Sequence, residues 1–198
     1  MLNCRLALLL TVAAASTLLA TPQEVSVVIS NINGRQPRLA IADLASAGTD
    51  AELKSAATTI ADVLWHDLEF EEEFYMIPPD VARAVPPAAS IDALPVAEWT
   101  QRGADYVLMA SASRSGGSVT IDVHVISLTG DTARKDVFPK RYTGCQIAAP
   151  RACAHAIADS LHKALRNYDG DATSRLAFVS DRAGERASNV LDRTGKEI

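Results

Sequence analysis

Apolar positions recur at two different spacings along the 198 residues, and the changes of spacing divide the chain into elements. From Glu24 to Ile32, Val25, Val27 and Ile29 alternate with Ser26, Val28 and Ser30, an imperfect period of two that predicts an extended segment, with a turn at Asn33-Gly34. Leu39-Ala40-Ile41-Ala42, within Arg38 to Leu44, is a short apolar run suited to a buried strand. Thr49 and Glu52 have the spacing of a capping box, and Leu53, Ala57, Ile60, Leu64 and Leu68 follow at intervals of three and four, which predicts an amphipathic helix. The acidic run Glu69 to Glu73 reads as a solvated helix end, and Phe74 to Ile77 as a short strand stopped by Pro78-Pro79. Asp80 to Leu94 is rich in Ala and Pro without a period and reads as a long loop, followed by a short helix near Val96 to Arg102 that Gly103 ends.

Asp105 to Ala112 is almost continuously apolar, the mark of a central strand. Ser115-Gly116-Gly117-Ser118 is a hairpin signal, after which Val119, Ile121, Val123 and Val125 alternate with Thr120, Asp122 and His124, giving a strand with one wet face. Thr129-Gly130-Asp131 is a further turn, and Lys135 to Tyr142 reads as a third strand. Pro150 suits the first turn of a second long helix with a buried stripe of Cys153, Ile157, Leu161 and Leu165; His155, Asp159, His162 and Arg166 fall on its other face, and Gly170 lies just past its end. This order implies an α/β fold: a mixed sheet with two long helices packed on one face. From Arg175 the pattern changes. Leu176 to Val179 is strand-like, Ser180 to Gly184 a turn, Ser188 to Leu191 weakly strand-like and Asp192 to Gly195 a turn, as in part of one repeat without its neighbours.

The amino terminus adds a compartment. Met1 to Arg5 carries one positive charge, and Leu6 to Ala20 is uncharged and apolar or small, which reads as a secretory signal peptide of residues 1–20. Cleavage after Ala20 keeps the full apolar region; cleavage after Ala15 leaves about seven apolar residues, and an uncleaved membrane anchor is the remaining alternative. Cys4 precedes the apolar region, unlike a lipoprotein cysteine. Loss of Arg5 takes the net charge from −5 to −6, so neither nucleic acid nor anionic lipid is attracted, and no later apolar run is long enough to insert in a membrane. Two cysteines remain, Cys145 and Cys153, flanking the predicted strand-to-helix loop. They are either a disulfide, allowed in an oxidising compartment, or two small apolar residues with Cys153 on a buried helix face.

No Gly-x-Ser-x-Gly elbow, phosphate loop or His-Glu-x-x-His helix occurs, so no catalytic residues, metal ligands or cofactor are assigned. His155, Asp159 and His162 share a helix face, but the histidines are two turns apart, and a solvated polar face is the simpler reading. His66 beside Glu69 and Glu73 is a weaker metal candidate still, lying in a plain acidic stretch. Glu24 to Ile32 can work in either of two ways. It can add as a strand to a partner's sheet edge, through main-chain bonds and alternate side chains, or it can form the domain's own first strand.

Glu24 to Ile29, Pro37 to Ala42, Pro95 to Leu108 with its Trp99 and Gly103, Lys140 to Gly144, Ala154 to Asp159, and Leu176 to Gly184, taken together and in this order, resemble the TolB family of the Tol-Pal envelope system. The resemblance implies a non-enzymatic periplasmic scaffold: an α/β domain followed by a six-bladed β-propeller, acting in outer-membrane integrity and constriction at cell division and in bacteriocin import. It implies that a TolA-like inner-membrane protein binds Glu24, Val25, Val27, Val28 and Ile29, and that a Pal-like lipoprotein binds the propeller. Ser26 and Ser30 stand where the family pattern has bulkier or charged residues. The corresponding organisation is a signal peptide at 1–20, a partner-binding segment at 21–33, the α/β domain at 34–170 and a partial first blade at 171–198. Less than one blade cannot bury its faces, so the expectation is that a Pal-binding surface is absent and that residues past about Asp171 pack poorly or opportunistically. A fragment, a truncated gene product and a natural domain-only form all fit that length. Two alternatives stand beside this reading: the front of a propeller-bearing peptidase, and a free-standing envelope domain with an unknown ligand.

Overall fold

A computed structural model describes residues 28–46, 48–116, 118–180 and 187–191, with the strands from residue 176 onward given by backbone alone. The expected signal peptide at residues 1–20, and Glu24, Val25 and Val27, lie outside the described residues. In chain order the elements are β1 (Arg38–Ile41), β2 (Ala45–Ser46), α1 (Ala51–Phe70), β3 (Tyr75–Met76), α2 (Pro79–Arg83), α3 (Val96–Gln101), β4 (Tyr106–Ser115), β5 (Ser118–Ser127), β6 (Lys140–Gln146), α4 (Pro150–Leu161), β7 (Leu176–Ser180) and β8 (Ala187–Leu191). α4 continues into a π-helical turn, His162–Arg166, which Asn167 closes in the left-handed conformation at φ 59°.

The sheet order is β3-β1-β4-β5-β6, with β2 pairing β4 beyond the end of β1. β1 runs parallel to β3 and β4, and β4, β5 and β6 form an antiparallel meander, so the sheet is mixed. Alternate strand residues divide two cores. Leu39, Ile41, Leu108, Ile121, Val123 and Val125 face α1 and α4. Ala40, Ala42, Val107 and Ile126 face α2, α3 and their connecting loop, centred on Trp99. Both long helices therefore lie on one face, as their apolar stripes require. Leu53, Ile60, Leu64 and Leu68 of α1 are each nearly inaccessible, and burying each such side chain is worth about 1.5–3 kcal/mol.

Several expectations are corrected. Helix α1 is capped by Asp50, not Thr49: Asp50 Oδ1 accepts from the backbone N–H of Glu52 at 3.0 Å and Leu53 at 3.1 Å. Its other oxygen meets Arg114 Nη1 of β4 at 2.9 Å, a tertiary contact that the shorter Thr49 hydroxyl does not make. The long loop contains α2, because Pro79 occupies the first helical turn, where a missing N–H costs nothing. The third meander strand is Lys140–Gln146 instead of Lys135 to Tyr142. Residues 136–139 carry one isolated bridge, Ile126 to Asp136, and Pro139 cannot donate to a ladder. Gly170 does not close the helix; it lets the chain pass Asp159, where an added Cβ would sit 2.6 Å from Oδ1. β7 and β8 form an antiparallel hairpin, Leu176 opposite Leu191.

Candidate partner-binding site

Of the expected partner-binding residues, Val28 and Ile29 are described, and they have opposite environments. Val28 is 52% exposed, whereas Ile29 is 3% exposed and belongs to the core under α1 and α4. Residues 28–32 are not a strand of the sheet; their bridge is Ile32 with Arg35, around Asn33-Gly34. Ile29 donates its backbone N–H to the Leu165 carbonyl at 2.6 Å. Its carbonyl accepts from Arg166 Nη1, while Arg166 Nη2 reaches Asn31 Oδ1 at 3.1 Å. The same guanidinium pairs with Glu73 at 2.8 Å and lies 5.8 Å from the centre of the Phe74 ring.

The polar stripe of α4 is the largest correction. His155 and His162 are buried against the carboxyl-terminal end of α1, while Asp159 and Arg166 are half-buried. His155 Nδ1 is 2.7 Å from Asp67 Oδ2, with the two side chains 7% and 2% exposed. His162 Nε2 is 3.2 Å from Glu71 Oε2. Glu71, expected in a solvated helix end, also accepts from the Tyr168 hydroxyl at 2.9 Å. Desolvation first, and then that bond and the neighbouring carboxylates, push the Tyr168 phenol well above its ordinary value. Asp159 accepts from the backbone N–H of Ala172 at 2.8 Å and of Thr173 at 3.1 Å. Ala172 is buried in the core beneath α1 and α4, so the chain past Asp171 begins packed on the domain.

Cys145 and Cys153 are joined by a disulfide, Cα–Cα 5.7 Å, tying the end of β6 to the first turn of α4. Among the described residues no group of three His, Cys, Asp or Glu is arranged to hold a metal ion, the α4 set included. His66 stays on the surface, 3.8 Å from Glu69. No described helix is long and apolar enough to cross a membrane. Sequence reasoning missed Arg166 and the Leu165 carbonyl. Their one sequence signal is an arginine in the last turn of a helix, where such side chains meet free carbonyls.

The described chain is thus held at Ile29 against the end of α4. A family model described as the TolB amino-terminal domain matches residues 25–133. The Tol-Pal system protein TolB of Geobacter metallireducens is 29% identical over 155 residues, 76% of this chain and 34% of that protein. The protein of the same name from Geobacter sulfurreducens is 23% identical over 148 residues, 75% of this chain and 33% of that one. The chain thus spans about a third of the length of these relatives. The crystal structure of TolB from Acinetobacter baumannii matches at TM-score 0.62 and 15% identity, over 82% of this chain and 37% of that one, a likeness of fold. With more than half of its length under the family model, the chain belongs to the TolB amino-terminal domain family.

Proposed function

We propose that this chain is a non-enzymatic periplasmic scaffold of a Tol-Pal-type envelope system, and that it binds a TolA-like inner-membrane protein through the segment centred on Glu24, Val25, Val27 and Val28. The observation that carries this reading is the family match from residue 25 onward, joined to a segment held at one fixed point, Ile29. An extended stretch with alternating β-branched side chains can bond along a partner's sheet edge, with affinity from the main chain and specificity from alternate side chains. The disulfide fits an oxidising compartment. The hairpin β7–β8 is read as the start of a propeller blade, and binding of a Pal-like lipoprotein belongs to a complete propeller. Roles in envelope integrity, division and bacteriocin import follow from membership of the system, as proposals.

The test is capture of the chain on the immobilised carboxy-terminal domain of a TolA-like protein, with and without residues 21–27. The deletion stops before Ile29 because removing that residue would open the core. Capture should depend on the segment while the melting temperature stays unchanged. Equal capture of both forms refutes strand addition.

A further inference from the structure

We infer that Arg38 forms a carboxylate-binding site at the start of β1, on the face of the sheet that carries α3. The site is separate from the segment ahead of β1 and does not depend on the partner reading above. Arg38 lies between Tyr75 of β3, its partner in register, and Asp105 at the start of β4. Its backbone is fully used: the N–H donates to Asp105 Oδ2 and the carbonyl accepts from the Asp105 N–H, both at 2.9 Å. Its half-buried side chain is not. The guanidinium carbon lies 4.7 Å from the centre of the Tyr75 ring. It also lies across Gly103, where an added Cβ would come 3.1 Å from that carbon and 3.2 and 3.3 Å from Nη1 and Nη2, so it turns a flat face to the glycine. These contacts use the faces of the group and leave the donors, which lie in its plane, unspent. Among the described residues Nε is buried without a hydrogen bond, and neither Nη1 nor Nη2 makes a hydrogen bond or an ion pair.

The neighbouring charges cancel one another. Arg35 holds Asp105 through two bonds, at 2.7 and 2.9 Å, and Arg102 Nη1 is 3.8 Å from Glu98 Oε2. Glu72 joins this end of the sheet through its carbonyl, which accepts from Gln36 Nε2, and its carboxylate pairs with none of these arginines. Arg38 is therefore the cation left without a counter-ion here. A half-buried charge in that position is costly unless an anion meets it. A guanidinium held flat presents a fork of donors that matches the two coplanar oxygens of a carboxylate. One uncompensated positive charge also matches one carboxylate, whereas a phosphate monoester brings about two negative charges near pH 7. Tyr75 is 48% exposed, so the site opens to solvent, and a free organic acid or a peptide carboxylate can reach it.

An NMR titration of the full chain with sodium acetate, at ionic strength held constant with sodium chloride, tests the site. The Arg38 Nε–H signal and the Tyr75 and Gly103 amides should shift saturably together, with a Kd in the millimolar range, while the amides of β5 stay in place. Arg38→Lys keeps the charge and loses the fork, and read on the same two amides it should raise the Kd about tenfold. Arg102→Lys makes the same change at a paired arginine of the patch and should leave the Kd within about twofold. A short peptide with a free carboxyl terminus and its carboxamide separate the sources. Tighter binding of the free-terminus peptide than of acetate, lost in the carboxamide, assigns a polypeptide carboxylate; equal binding of peptide and acetate assigns any free acid. Inorganic phosphate binding more tightly than acetate overturns the carboxylate assignment. A shift that chloride alone reproduces, or one Kd shared by the native chain and Arg38→Lys, overturns the site.

Discussion

Removing one member of the buried His155–Asp67 pair should destabilise the domain more than any surface change on α4. The two side chains meet at 2.7 Å between α1 and α4 and are 7% and 2% exposed. His155→Ala leaves the Asp67 carboxylate in the interior without its imidazole, and solvent cannot reach it. Breaking a buried pair from one side costs about 3–5 kcal/mol. For a domain of this size each kcal/mol moves the melting temperature by roughly 2–4 °C, so a fall of roughly 6–20 °C is expected. Asp67→Ala should act in the same direction. The double variant carries no uncompensated charge, and it should be far less damaged than the sum of the two singles, with a coupling energy of about 2 kcal/mol. Thermal and urea melts of the four proteins give the cycle directly. Additive losses, or single losses under about 1 kcal/mol, would refute the claim that this contact holds the two long helices in register.

Three further outcomes follow from contacts already described. Replacing Cys145 and Cys153 by serine should cost about 2.5 kcal/mol, the chain entropy of closing so short a loop, and reductant should lower the melting temperature of the native chain but not of the variant. Asp50→Ala should lower the melting temperature and Thr49→Ala should not, which a paired melt decides. Asp50 is held below the usual carboxylate range by the hydrogen bond from Arg114 and by the Leu53 N–H; its contribution is present above that range and lost as pH falls through the depressed value. Burial raises the Tyr142 phenol to about 12, so its contribution is present below about pH 10 and lost as pH climbs towards 12; ultraviolet titration of Tyr142→Phe should show one late-titrating phenol fewer, with the raised phenol of Tyr168 remaining.

The elements whose partners are neighbours in sequence were legible. The stripe Leu53, Ala57, Ile60, Leu64 and Leu68 is buried as its spacing required, and so is the alternation Val119, Ile121, Val123 and Val125. Both rest on a local period that one face of a helix or strand must satisfy. The family likeness of the ordered motifs was legible for the same reason, since each is a short local pattern. Failures begin where a distant residue decides between two locally equal choices. Thr49 and Asp50 are both good caps, and Arg114, 64 residues away, is bound by only one of them. A diproline ends a strand and can equally open a helix, and the packing of Ala82 and Val85 beneath α2 settles which.

The polar stripe of α4 shows why its histidines were expected in solvent. Periodicity assigns a helix one apolar face, and whatever is polar goes to water by default. That default fails when polar groups find partners at long range. His155 meets Asp67 across 88 residues of sequence, and Arg166 meets the Ile29 carbonyl across 137. Acidic residues at the end of α1 and basic ones along α4 each look solvated when taken alone; together they neutralise one another and can be buried. The same complementarity decides the fate of Ile29. Its alternation with Val25 and Val27 would place all three on one face of a partner strand, yet an arginine at the far end of the domain claims its carbonyl and leaves its side chain in the core. Long-range complementarity thus fixes the backbone ahead of β1, which no local period of side chains reveals.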